Sequence, residues 1–525
     1  MLSGKDLWTR ETLSNVWRNT DFSSELGIYK SAPSSLFEAL EITAEKYPDK
    51  PAVVLEDGEY YSFSQLKSQS NRLASRLLQE NYSKGSKIGL ILDNSVELFV
   101  ALYAISRIGA VAVMLPGKLK TAALSGLVDL SNPDLIIAEP ERLEGLSDFK
   151  RKVTTIRKLE SIILTDGQND FPQSDEDALS LMMFTSGTSS APKAVAISSS
   201  NIMQAAKSYE SIFNLNEDDK LIFGVPLYHV TGVVAIIAQI TLTGCTLYLQ
   251  RRFQPEKFLE WASEVEATYI HASPTVFELL LRVWPKGLDI PSVRILACGA
   301  ANMPSSRILR LKEKLPSSEF RTIYGLTETT SPASIFPVDA STSEKIGASG
   351  WVIPGVEIRI VSDSGSELPP REVGEISVRG STVCLGYLDA SGGTEPVEWL
   401  ATGDLGYLDQ DGYLYVVDRK KDQINRGGEK IYPHEVEEAI NNIDGVIDVC
   451  VVGIEDELYG EIPGAVYVAR EAISLERLSS ELKNNLAAYC IPQELVRVEE
   501  IPRTAGLKTD RKAVRDLLSR RRIGL

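Results

Sequence analysis

Short apolar runs alternate with longer amphipathic segments over most of the chain. The runs SKIGLIL, AVAVML, PDLIIA, SIILT and VRILACG have the length and apolar character of short buried strands. Between them, SLFEALEITAEKY, SQLKSQSNRLASRLLQE, SVELFVALYAISRIG and EKFLEWASEVE repeat apolar residues at helical spacing. Strands that alternate with helices in this way predict a doubly wound α/β fold with mostly parallel sheets.

The pattern changes between about Gly347 and Val417. There, WVIPGVEIRIVSDSG, GEISVRG and DGYLYVVDR are short runs separated by Gly, Asp and Pro, which predicts an antiparallel or barrel-like region. The charged, glycine-containing stretch DRKKDQINRGGEK, at 418–430, is a candidate domain boundary. Beyond it, PHEVEEAINNI, VIDVCVVGI, GAVYVA and SLERLSSELKNNL predict a small α+β domain.

Composition narrows the class of protein. A chain of 525 residues exceeds what one core supports, so at least two domains are expected. The net charge of −17 argues against a nucleic-acid partner, because neutralising phosphates requires a basic face. The five cysteines are scattered without a CxxC pair, which predicts reduced thiols in a cytoplasmic protein. The first residues, MLSGKDLWTRETLS, show no apolar core of a secretion signal.

One uncharged segment has the length of a membrane span. From Leu221 to Gln250 the chain contains no Lys, Arg, Asp or Glu. The segment nevertheless contains Pro226, His229 and Gln239, together with several Thr and Gly residues. It is therefore interpreted as buried strands and a helix of a large α/β core, and no membrane span is expected.

A hydroxyl-rich loop interrupts the strand pattern between Leu181 and Ile202. The stretch LMMFTSGTSSAPKAVAISSSNI predicts a strand, a polar loop, a second strand and a helix start. Phosphates are bound by converging N–H groups and hydroxyls with a cation nearby. The loop supplies such groups at Thr185, Ser186, Gly187, Thr188, Ser189 and Lys193. It is not a Walker A motif, because Pro192 precedes the lysine and Ala194 follows it. By itself it is either a phosphate loop or a polar surface loop.

Five further motifs follow in order: PLYHVTG at 226–232, YGLTETT at 324–330, GEISVRG with GYL, TGDLGYLDQDGYLYVVDRKKDQINRGGEKIYPHEVEEAI, and PRTAGLKTDRKAV. With the hydroxyl-rich loop, they resemble the adenylate-forming superfamily of acyl- and aryl-CoA synthetases, peptide-synthetase adenylation domains and beetle luciferases. The resemblance extends from about Leu36 to about Leu518. It implies an N-terminal domain of α/β subdomains with a β-barrel-like region at 1–418, a hinge at 419–423, and a mobile α+β C-terminal domain at 424–525.

The resemblance implies that ATP activates a carboxylic acid as an acyl or aryl adenylate, with release of pyrophosphate, before transfer to the thiol of coenzyme A. In the family, the hydroxyl-rich loop holds the β- and γ-phosphates. Tyr324 corresponds to the residue along the adenine ring, and Gly299, Ala300 and Ala301 correspond to the backbone near that ring. Thr327 corresponds to a residue that contacts phosphate, and Asp404 to the acceptor of the ribose hydroxyls, with Arg419 nearby. Gly325 is a further nucleotide-binding position. Glu328 corresponds to the residue that helps hold Mg²⁺, a hard cation suited to carboxylate and phosphate oxygens. Outside this context, Asp404 also suits an ordinary turn.

The C-terminal domain carries the remaining roles that the resemblance implies. Lys508 bridges the carboxylate and the α-phosphate during adenylation, and Lys421 is the pivot of a domain rotation between the two steps. Rotation removes the lysine and introduces the loop that contains Gly427 and Gly428. Glycines there let the backbone approach the thin pantetheine arm of coenzyme A.

The resemblance also places His229 in the pocket for the acid, although a lone histidine in an apolar run also suits a core position. Amino-acid-activating relatives have an Asp near Tyr228 and His229 that pairs with the substrate ammonium. The uncharged segment offers no such acid, and a buried ammonium without a partner is costly. The segment therefore favours an acyl or aryl carboxylic acid. His271 and His434 lack metal-ligand spacing with His229, so no zinc site is expected.

Two alternatives to a coenzyme A ligase remain open. One is a ligase that loads an acyl-carrier protein, whose acidic surface would meet the basic C-terminal residues Arg511, Lys512, Arg515, Arg520, Arg521 and Arg522. The other is a non-catalytic, nucleotide-binding regulatory relative. It is motivated by residues that differ from the family pattern: Ser190 and Ala194 replace Gly, Ser199 replaces His, and Gly506 and Leu507 replace Ser and Gly.

Overall fold

The computed structural model describes residues 1–8, 27–143, 146, 152–160, 171–173, 175–185, 192–388, 393–395, 397–483, 486–503 and 509–522. The helices are α1 (Gly4–Leu7), α2 (Leu36–Lys46), α3 (Phe63–Gln79), α4 (Val96–Arg107), α5 (Thr121–Ser131), α6 (Ile156–Glu160), α7 (Ser199–Phe213), α8 (Gln239–Thr243), α9 (Pro255–Glu264), α10 (Pro274–Val283), α11 (Ser305–Lys314), α12 (Pro433–Asn441), α13 (Leu475–Leu482) and α14 (Arg511–Arg522). A π-helix, Thr231–Ala238, runs directly into α8.

The strands are β1 (Leu2–Ser3), β2 (Pro51–Leu55), β3 (Tyr60–Ser62), β4 (Lys87–Ile91), β5 (Val111–Met114), β6 (Leu135–Ala138), β7 (Lys152–Thr154), β8 (Leu179–Thr185), β9 (Lys193–Ser198), β10 (Lys220–Phe223), β11 (Thr246–Leu249), β12 (Tyr269–Ala272), β13 (Ile295–Cys298), β14 (Glu319–Tyr324), β15 (Ser334–Ile335), β16 (Trp351–Val352), β17 (Val356–Val361), β18 (Gly374–Gly380), β19 (Gly386–Tyr387), β20 (Leu400–Leu408), β21 (Leu414–Arg419), β22 (Ile424–Arg426), β23 (Glu429–Ile431), β24 (Val446–Asp456), β25 (Gly460–Ala469) and β26 (Glu494–Arg497).

Two large sheets form the N-terminal part of the molecule. Over the described residues, one has nine strands in the order β16-β15-β14-β13-β12-β10-β11-β2-β3, and the other has seven in the order β19-β9-β8-β5-β4-β6-β7. The central strands of both sheets are parallel, and antiparallel strands lie at their edges. This arrangement and the helices between the strands confirm the predicted doubly wound α/β fold.

A small antiparallel sheet follows the two large ones, in the order β1-β17-β18-β20-β21. It confirms the predicted antiparallel region. Its edge strand β1 comes from the start of the chain, where Leu2 pairs with Ile358. The Trp8 indole Nε1 donates to the Val352 carbonyl oxygen (2.8 Å), so this N-terminal segment is fixed against the sheet.

The C-terminal sheet has the order β23-β22-β25-β24, and β26 pairs with β25. Buried apolar residues lie on both of its faces and form cores separate from those of the large sheets, with Val436 and Leu478 in one and Val466 and Val514 in the other. Residues 420–423 connect β21 of the small sheet to β22 of the C-terminal sheet. The predicted hinge falls on this connection.

Most elements expected from the sequence are present at the predicted positions. The predicted strand SIILT lies outside the described residues. The uncharged segment contains β10, the π-helix, α8 and β11, as interpreted from the sequence. Among the helices of the described residues, none is long and apolar enough to cross a membrane.

Candidate active site

Three parallel strands end side by side at one edge of the nine-stranded sheet. The last residues of β12, β13 and β14 are Ala272, Cys298 and Tyr324, and Ala272 pairs with Cys298. The carboxyl edge of parallel strands is where α/β folds bind ligands. Residues 299–301 follow β13 directly, and Ala300 has a φ of 75°, which side-chain-bearing residues seldom adopt. The backbone predicted to contact adenine therefore lies at this edge, next to Tyr324.

Gly325, directly after β14, lies where two backbone segments meet. A Cβ atom added to it would lie 1.4 Å from the carbonyl oxygen of Ser331. Ser331 itself has a φ of 89°, because the chain folds back after the 3₁₀-helix Thr327–Thr329. This short helix carries Thr327 and Glu328, so the close approach at Gly325 positions both residues predicted to contact phosphate and magnesium.

The buried carboxylate of Asp404 joins two other predicted nucleotide residues. Its Oδ2 accepts a hydrogen bond from the Tyr324 hydroxyl at 2.9 Å, and its Oδ1 lies 3.0 Å from Arg419 Nε. Asp404 and Arg419 also pair across β20 and β21. Burial raises the pKa of Asp404, while Arg419 and the Tyr324 hydroxyl oppose that rise. The three residues thus present one fixed acceptor group at the end of β14.

A second cluster links the predicted magnesium residue to the predicted phosphate lysine. The Tyr387 hydroxyl donates to Glu328 Oε1 at 2.9 Å, and Lys193 Nζ lies 4.6 Å from the centre of the Tyr387 ring. The Cys384 backbone N–H donates to the Glu328 carbonyl oxygen (2.8 Å). Tyr387 was not predicted as a site residue. Its signal is the GYL motif, which the sequence analysis matched without assigning a role to the tyrosine.

The hydroxyl-rich loop is only partly described. Thr185 at the end of β8 pairs with Lys193 at the start of β9, so the two ends of the loop are adjacent. Ser186, Gly187, Thr188, Ser189 and Ser190 lie outside the described residues. The predicted helix start is present, because the Ser198 hydroxyl accepts from the Asn201 N–H and caps α7.

Tyr228 and His229 stand on the loop between β10 and the π-helix. Their ring centres are 4.4 Å apart, with His229 exposed and Tyr228 buried. A Cβ atom added to Gly232, within the π-helix, would lie 2.4 Å from backbone atoms of Leu227. The π-helix therefore packs directly against the loop, a geometry that is frequent at functional sites.

Asn94 holds this loop in place from the neighbouring sheet. Its Nδ2 donates to the carbonyl oxygens of Val225 (2.9 Å) and Gln250 (3.0 Å), and its Oδ1 accepts from the Leu227 N–H (2.9 Å). The buried amide therefore satisfies three backbone groups on the loop and at the end of β11. Sequence reasoning missed Asn94, because nothing local connects it with a segment more than a hundred residues away.

One acid outside the uncharged segment approaches the predicted acid pocket. Burial is the larger cause that raises the pKa of Tyr228, and the charge of Asp93 raises it further. Arg142 opposes this rise. Asp93 Oδ1 lies 3.1 Å from Arg142 Nη2, so the carboxylate is already paired with an arginine. The segment from Leu221 to Gln250 contains no acid, and the fold brings Asp93 close to it as one half of an ion pair.

The remaining histidines occupy structural positions. Burial lowers the pKa of His271 to about 3, and its Nδ1 lies 3.0 Å from the Tyr269 hydroxyl. The His434 backbone N–H donates to Asp418 Oδ2 (2.9 Å). In the described ranges, no group of three or more His, Cys, Asp or Glu residues could hold a metal ion. The five cysteines are free thiols and all are buried, as expected for core residues.

Of the residues predicted for the C-terminal domain and its hinge, Lys421, Gly427 and Gly428 are described and Lys508 is not. Gly427 and Gly428 have φ values of 61° and 98°, and the Gly427 N–H donates to the Tyr459 carbonyl oxygen (2.7 Å). Lys421 is exposed in the turn between β21 and β22. Lys508 lies outside the described residues, and the positions flanking 504–508, Arg503 and Thr509, form an antiparallel bridge.

Comparison with known proteins identifies the family of the chain. The family model described as "AMP-binding enzyme" matches residues 40–388, and that described as "AMP-binding enzyme C-terminal domain" matches residues 435–508. A 2-succinylbenzoate–CoA ligase from Bacillus licheniformis is 32% identical over 486 residues, covering 89% of this chain and 97% of the relative.

Two solved structures of o-succinylbenzoate coenzyme A synthetase from Bacillus subtilis have the same fold. The complex with an acyl-adenylate intermediate has a TM-score of 0.81 at 29% identity, and it covers 91% of this chain and 98% of that one. The complex with ATP and magnesium ion has a TM-score of 0.79 at 29% identity, with 92% and 99% covered.

These matches confirm the family and the reaction class predicted from the motifs, an AMP-forming acid–thiol ligase. The predicted use of ATP, Mg²⁺ and coenzyme A agrees with what these relatives are named for or solved with. The roles of individual residues stay predictions that the geometry above supports. With the first family model spanning more than half of its length, the chain belongs to the AMP-binding enzyme family.

Proposed function

We propose that this protein is an AMP-forming ligase that joins 2-succinylbenzoate to coenzyme A. The observation that carries the proposed site is the buried Asp404 carboxylate, held between Tyr324 and Arg419 beside the carboxyl edge of the nine-stranded sheet. The identity of the acid rests on relatives of nearly equal length that carry this name.

Two displacements make up the proposed reaction. A substrate carboxylate oxygen forms a bond to the α-phosphorus of ATP, the α–β phosphoanhydride bond breaks, and pyrophosphate leaves with the bonding electrons. The thiolate of coenzyme A then forms a bond to the acyl carbon, the bond from that carbon to the phosphate oxygen breaks, and AMP leaves. The protein must neutralise charge at phosphate in the first step and admit a thiol in the second.

The nucleotide fits the described residues at two places. Burial disfavours the ionised form of Asp404, and Arg419 stabilises that form. An ionised carboxylate is a strong hydrogen-bond acceptor for the two hydroxyls of a ribose. Ala300 keeps its unusual φ beside Tyr324, where backbone at the sheet edge would face the adenine ring. We assign ribose binding to Asp404 and adenine contacts to Tyr324 and residues 299–301.

The residues around Glu328 fit a magnesium ion bound together with phosphates. Mg²⁺ is commonly held by one or two carboxylates plus substrate phosphate oxygens. The hydrogen bond from Tyr387 uses Oε1 of Glu328 and fixes the orientation of the carboxylate. Lys193 on the same tyrosine ring adds a positive charge beside it. When bound, the ion would neutralise charge on the phosphates, and Thr327, Glu328 and Lys193 would orient them.

An acyl or aryl acid suits the pocket better than an amino acid. The uncharged segment contributes no acid, and Asp93 is committed to Arg142. An ammonium entering here would displace that ion pair or remain unpaired, and both are costly. Tyr228 and His229 instead present two adjacent rings, which suit the aromatic ring of a benzoate.

Coenzyme A is the proposed acceptor, and an acyl-carrier protein is the alternative. The basic C-terminal helix was the reason to consider a carrier. Part of that charge has a structural use, because Arg511 Nη2 lies 3.0 Å from Glu437 Oε1 and Arg515 Nε donates to the Gly453 carbonyl oxygen (3.0 Å). These arginines fix α14 to α12 and to β24, which weakens the case for a carrier-docking surface.

The structure also bears on the non-catalytic alternative. Ala194 lies in β9 opposite Phe184, and its carbonyl oxygen accepts from the Leu388 N–H (2.8 Å). An alanine is accommodated there as an ordinary strand residue, so replacement of glycine at this position does not argue against catalysis. Ser190, Gly506 and Leu507 lie outside the described residues.

We further propose a domain division at 1–418 and 424–525, with Lys421 in the 419–423 hinge and Lys508 delivered by the C-terminal domain. Support comes from the separate cores of the C-terminal sheet and from the exposed turn at Lys421. Burial of free thiols is in keeping with a reducing compartment, and we propose a cytoplasmic location.

An ATP–pyrophosphate exchange screen tests the proposal. The panel contains 2-succinylbenzoate, benzoate, fatty acids of several lengths and amino acids, and AMP release is followed with coenzyme A or a phosphopantetheinylated carrier. We expect exchange with 2-succinylbenzoate and thioester formation on coenzyme A. Exchange with another acid only would overturn the substrate, thioester on the carrier only would overturn the acceptor, and ATP binding without exchange across the panel would favour the regulatory alternative.

A further inference from the structure

A chain of polar contacts joins the large domain to the C-terminal domain close to the carboxyl edge. On the large domain it begins with Glu278 of α10, which is 2% exposed and lies 2.8 Å from Arg307 Nε of α11. Arg282 Nε is a further partner of Glu278, at 3.1 Å. Arg307, 9% exposed, is therefore held rigidly by a buried acid and directed at the other domain.

Asp448 of β24 meets this arginine from the C-terminal domain. Its Oδ1 lies 3.8 Å from Arg307 Nη2, and the same nitrogen donates to the Ile447 carbonyl oxygen (3.4 Å). Its Oδ2 accepts from Arg503 Nη2 at 2.7 Å. Asp448 and Arg503 are 14% and 15% exposed, so water screens these charges only partly.

Arg503 also contacts the large domain. Its Nη1 donates to Thr275 Oγ1 (2.7 Å), in the first turn of α10 directly after β12. Arg503 also pairs with Thr509, and the Asp510 N–H donates to the Pro502 carbonyl oxygen (2.9 Å). The segment between these pairs, 504–508, contains Lys508, so Arg503 anchors the base of the segment that carries the lysine against the sheet edge.

We propose that Asp448 is a positioning residue for adenylation: it latches the C-terminal domain onto Arg307 and orients Arg503 toward Thr275. This inference rests on the proposed function, in which the C-terminal domain delivers Lys508 for the first step only. In the orientation described here, the base of the lysine segment contacts the large domain, whereas the Gly427–Tyr459 contact lies within the C-terminal domain.

The latch is built to open without leaving a buried charge unpaired. When the domains separate, Arg307 keeps Glu278 and Asp448 keeps Arg503, since each of these pairs lies within one domain. Within this series of contacts, those that cross between the domains are Arg307 to Asp448, Arg307 to the Ile447 carbonyl, and Arg503 to Thr275. A buried charge that loses its partner is strongly destabilising. Because each charged residue here keeps a partner within its own domain, the rotation is reversible.

The experiment measures the two half-reactions separately in Asp448→Asn and in Thr275→Val. For Asp448→Asn we expect a loss of about 10-fold in pyrophosphate exchange, with thioester formation from a supplied acyl adenylate unchanged or faster, because the change shifts the population toward the other orientation. Thr275→Val removes one interdomain hydrogen bond and should act in the same direction by about 3-fold.

Glu481→Gln is the matched control. It removes an acid that pairs with Arg477 (2.8 Å) inside α13 of the same domain, and both half-reactions should stay at the wild-type rate. Equal losses in both half-reactions of Asp448→Asn, or no loss in either, would overturn the latch. If thermal unfolding shows that Asp448→Asn is not folded, the two half-reactions of Thr275→Val are compared by the same criterion. Absence of exchange in the wild-type protein across the acid panel would instead refute the proposed function, so the two failures are distinct.

Discussion

The Tyr324 hydroxyl donates a hydrogen bond to Asp404 Oδ2 over 2.9 Å and holds a buried carboxylate at the end of β14. Burial raises the pKa of Asp404, and the hydrogen bond acts against that rise together with Arg419. The tyrosine therefore has a second role besides any contact of its ring with adenine. It helps to keep Asp404 ionised and oriented as an acceptor for a ribose.

Tyr324→Phe keeps the ring and removes this hydrogen bond. We expect the KM for ATP in pyrophosphate exchange to rise about 5- to 10-fold, the effect of one hydrogen bond to a charged group. Loss of the donor should raise the pKa of Asp404 further. As pH falls, the carboxylate is then protonated earlier, so ATP affinity should be lost at a higher pH than in the wild type. Tyr407→Phe, on a ring stacked with Tyr415, is the control, and an unchanged KM for Tyr324→Phe would contradict the assignment.

Two substitutions at Tyr387 separate its two contacts. Tyr387→Phe removes the hydrogen bond to Glu328 but keeps a ring under Lys193, whereas Tyr387→Leu removes both. We expect Tyr387→Phe to raise the Mg²⁺ concentration needed for half-maximal exchange by about 3- to 10-fold, because the carboxylate loses its orientation. Tyr387→Leu should additionally raise the KM for ATP by roughly 3-fold, the value of a cation–π contact. Identical Mg²⁺ dependence in wild type and Tyr387→Phe would show that Glu328 is oriented by other contacts.

Gly325→Ala tests the close backbone approach beside the 3₁₀-helix. The added Cβ would lie 1.4 Å from the Ser331 carbonyl oxygen, so the backbone that carries Thr327 and Glu328 must move. We expect a loss of about 3 kcal/mol or more in the free energy of unfolding and a fall of roughly 100-fold in exchange. Gly126→Ala is the matched control, because nothing lies within 4 Å of its added Cβ in α5. It should be neutral or stabilise by up to about 1 kcal/mol. Urea unfolding of both variants gives the comparison, and a stable, active Gly325→Ala would show that the turn adapts.

The elements that the sequence predicted well are those specified by local pattern. The helices α2, α3, α4 and α9 match the amphipathic segments because a 3.6-residue repeat reports on its own buried face. The order of motifs identified the family, since each motif holds chemistry within a short stretch. The loop between β8 and β9 was recognised in this way even though most of it lies outside the described residues.

What the sequence could not show depends on distant partners. Strand β1 pairs with β17, and β2 lies beside β11, because strand adjacency is decided by packing of the whole sheet rather than by nearby residues. Asn94 and Asp93 approach the predicted acid pocket only once the two large sheets meet. The role of Tyr387 likewise depends on two contacts, to Glu328 and Lys193, that lie far apart in the chain.

The buried His271 makes a prediction about pH. Burial lowers its pKa to about 3, below the value of 6.5 for an unperturbed histidine, so the folded state binds fewer protons than the unfolded state between these values. Stability attributable to this residue is therefore lost as pH falls below 6.5. By NMR, the His271 ring signals should not shift between pH 8 and pH 5, with His271→Gln used for assignment. Between pH 6.5 and pH 5, His271→Gln should lose about 1.6 kcal/mol less unfolding free energy than the wild type. A ring that titrates near pH 6.5 would contradict the burial argument.

Lys508→Ala distinguishes the two proposed half-reactions most directly. The lysine is assigned by resemblance to the family, and Arg503 anchors the base of its segment against α10. Loss of one group that stabilises developing charge should slow pyrophosphate exchange by roughly 10²–10³. Thioester formation from a supplied acyl adenylate should be spared, because in the proposed mechanism the rotation that admits coenzyme A removes this lysine from the site. Lys512→Ala, an exposed lysine on α14, is the control and should leave both steps intact. If Lys508→Ala also abolished the second step, the lysine would serve the stability or the hinge of the domain rather than the adenylation chemistry.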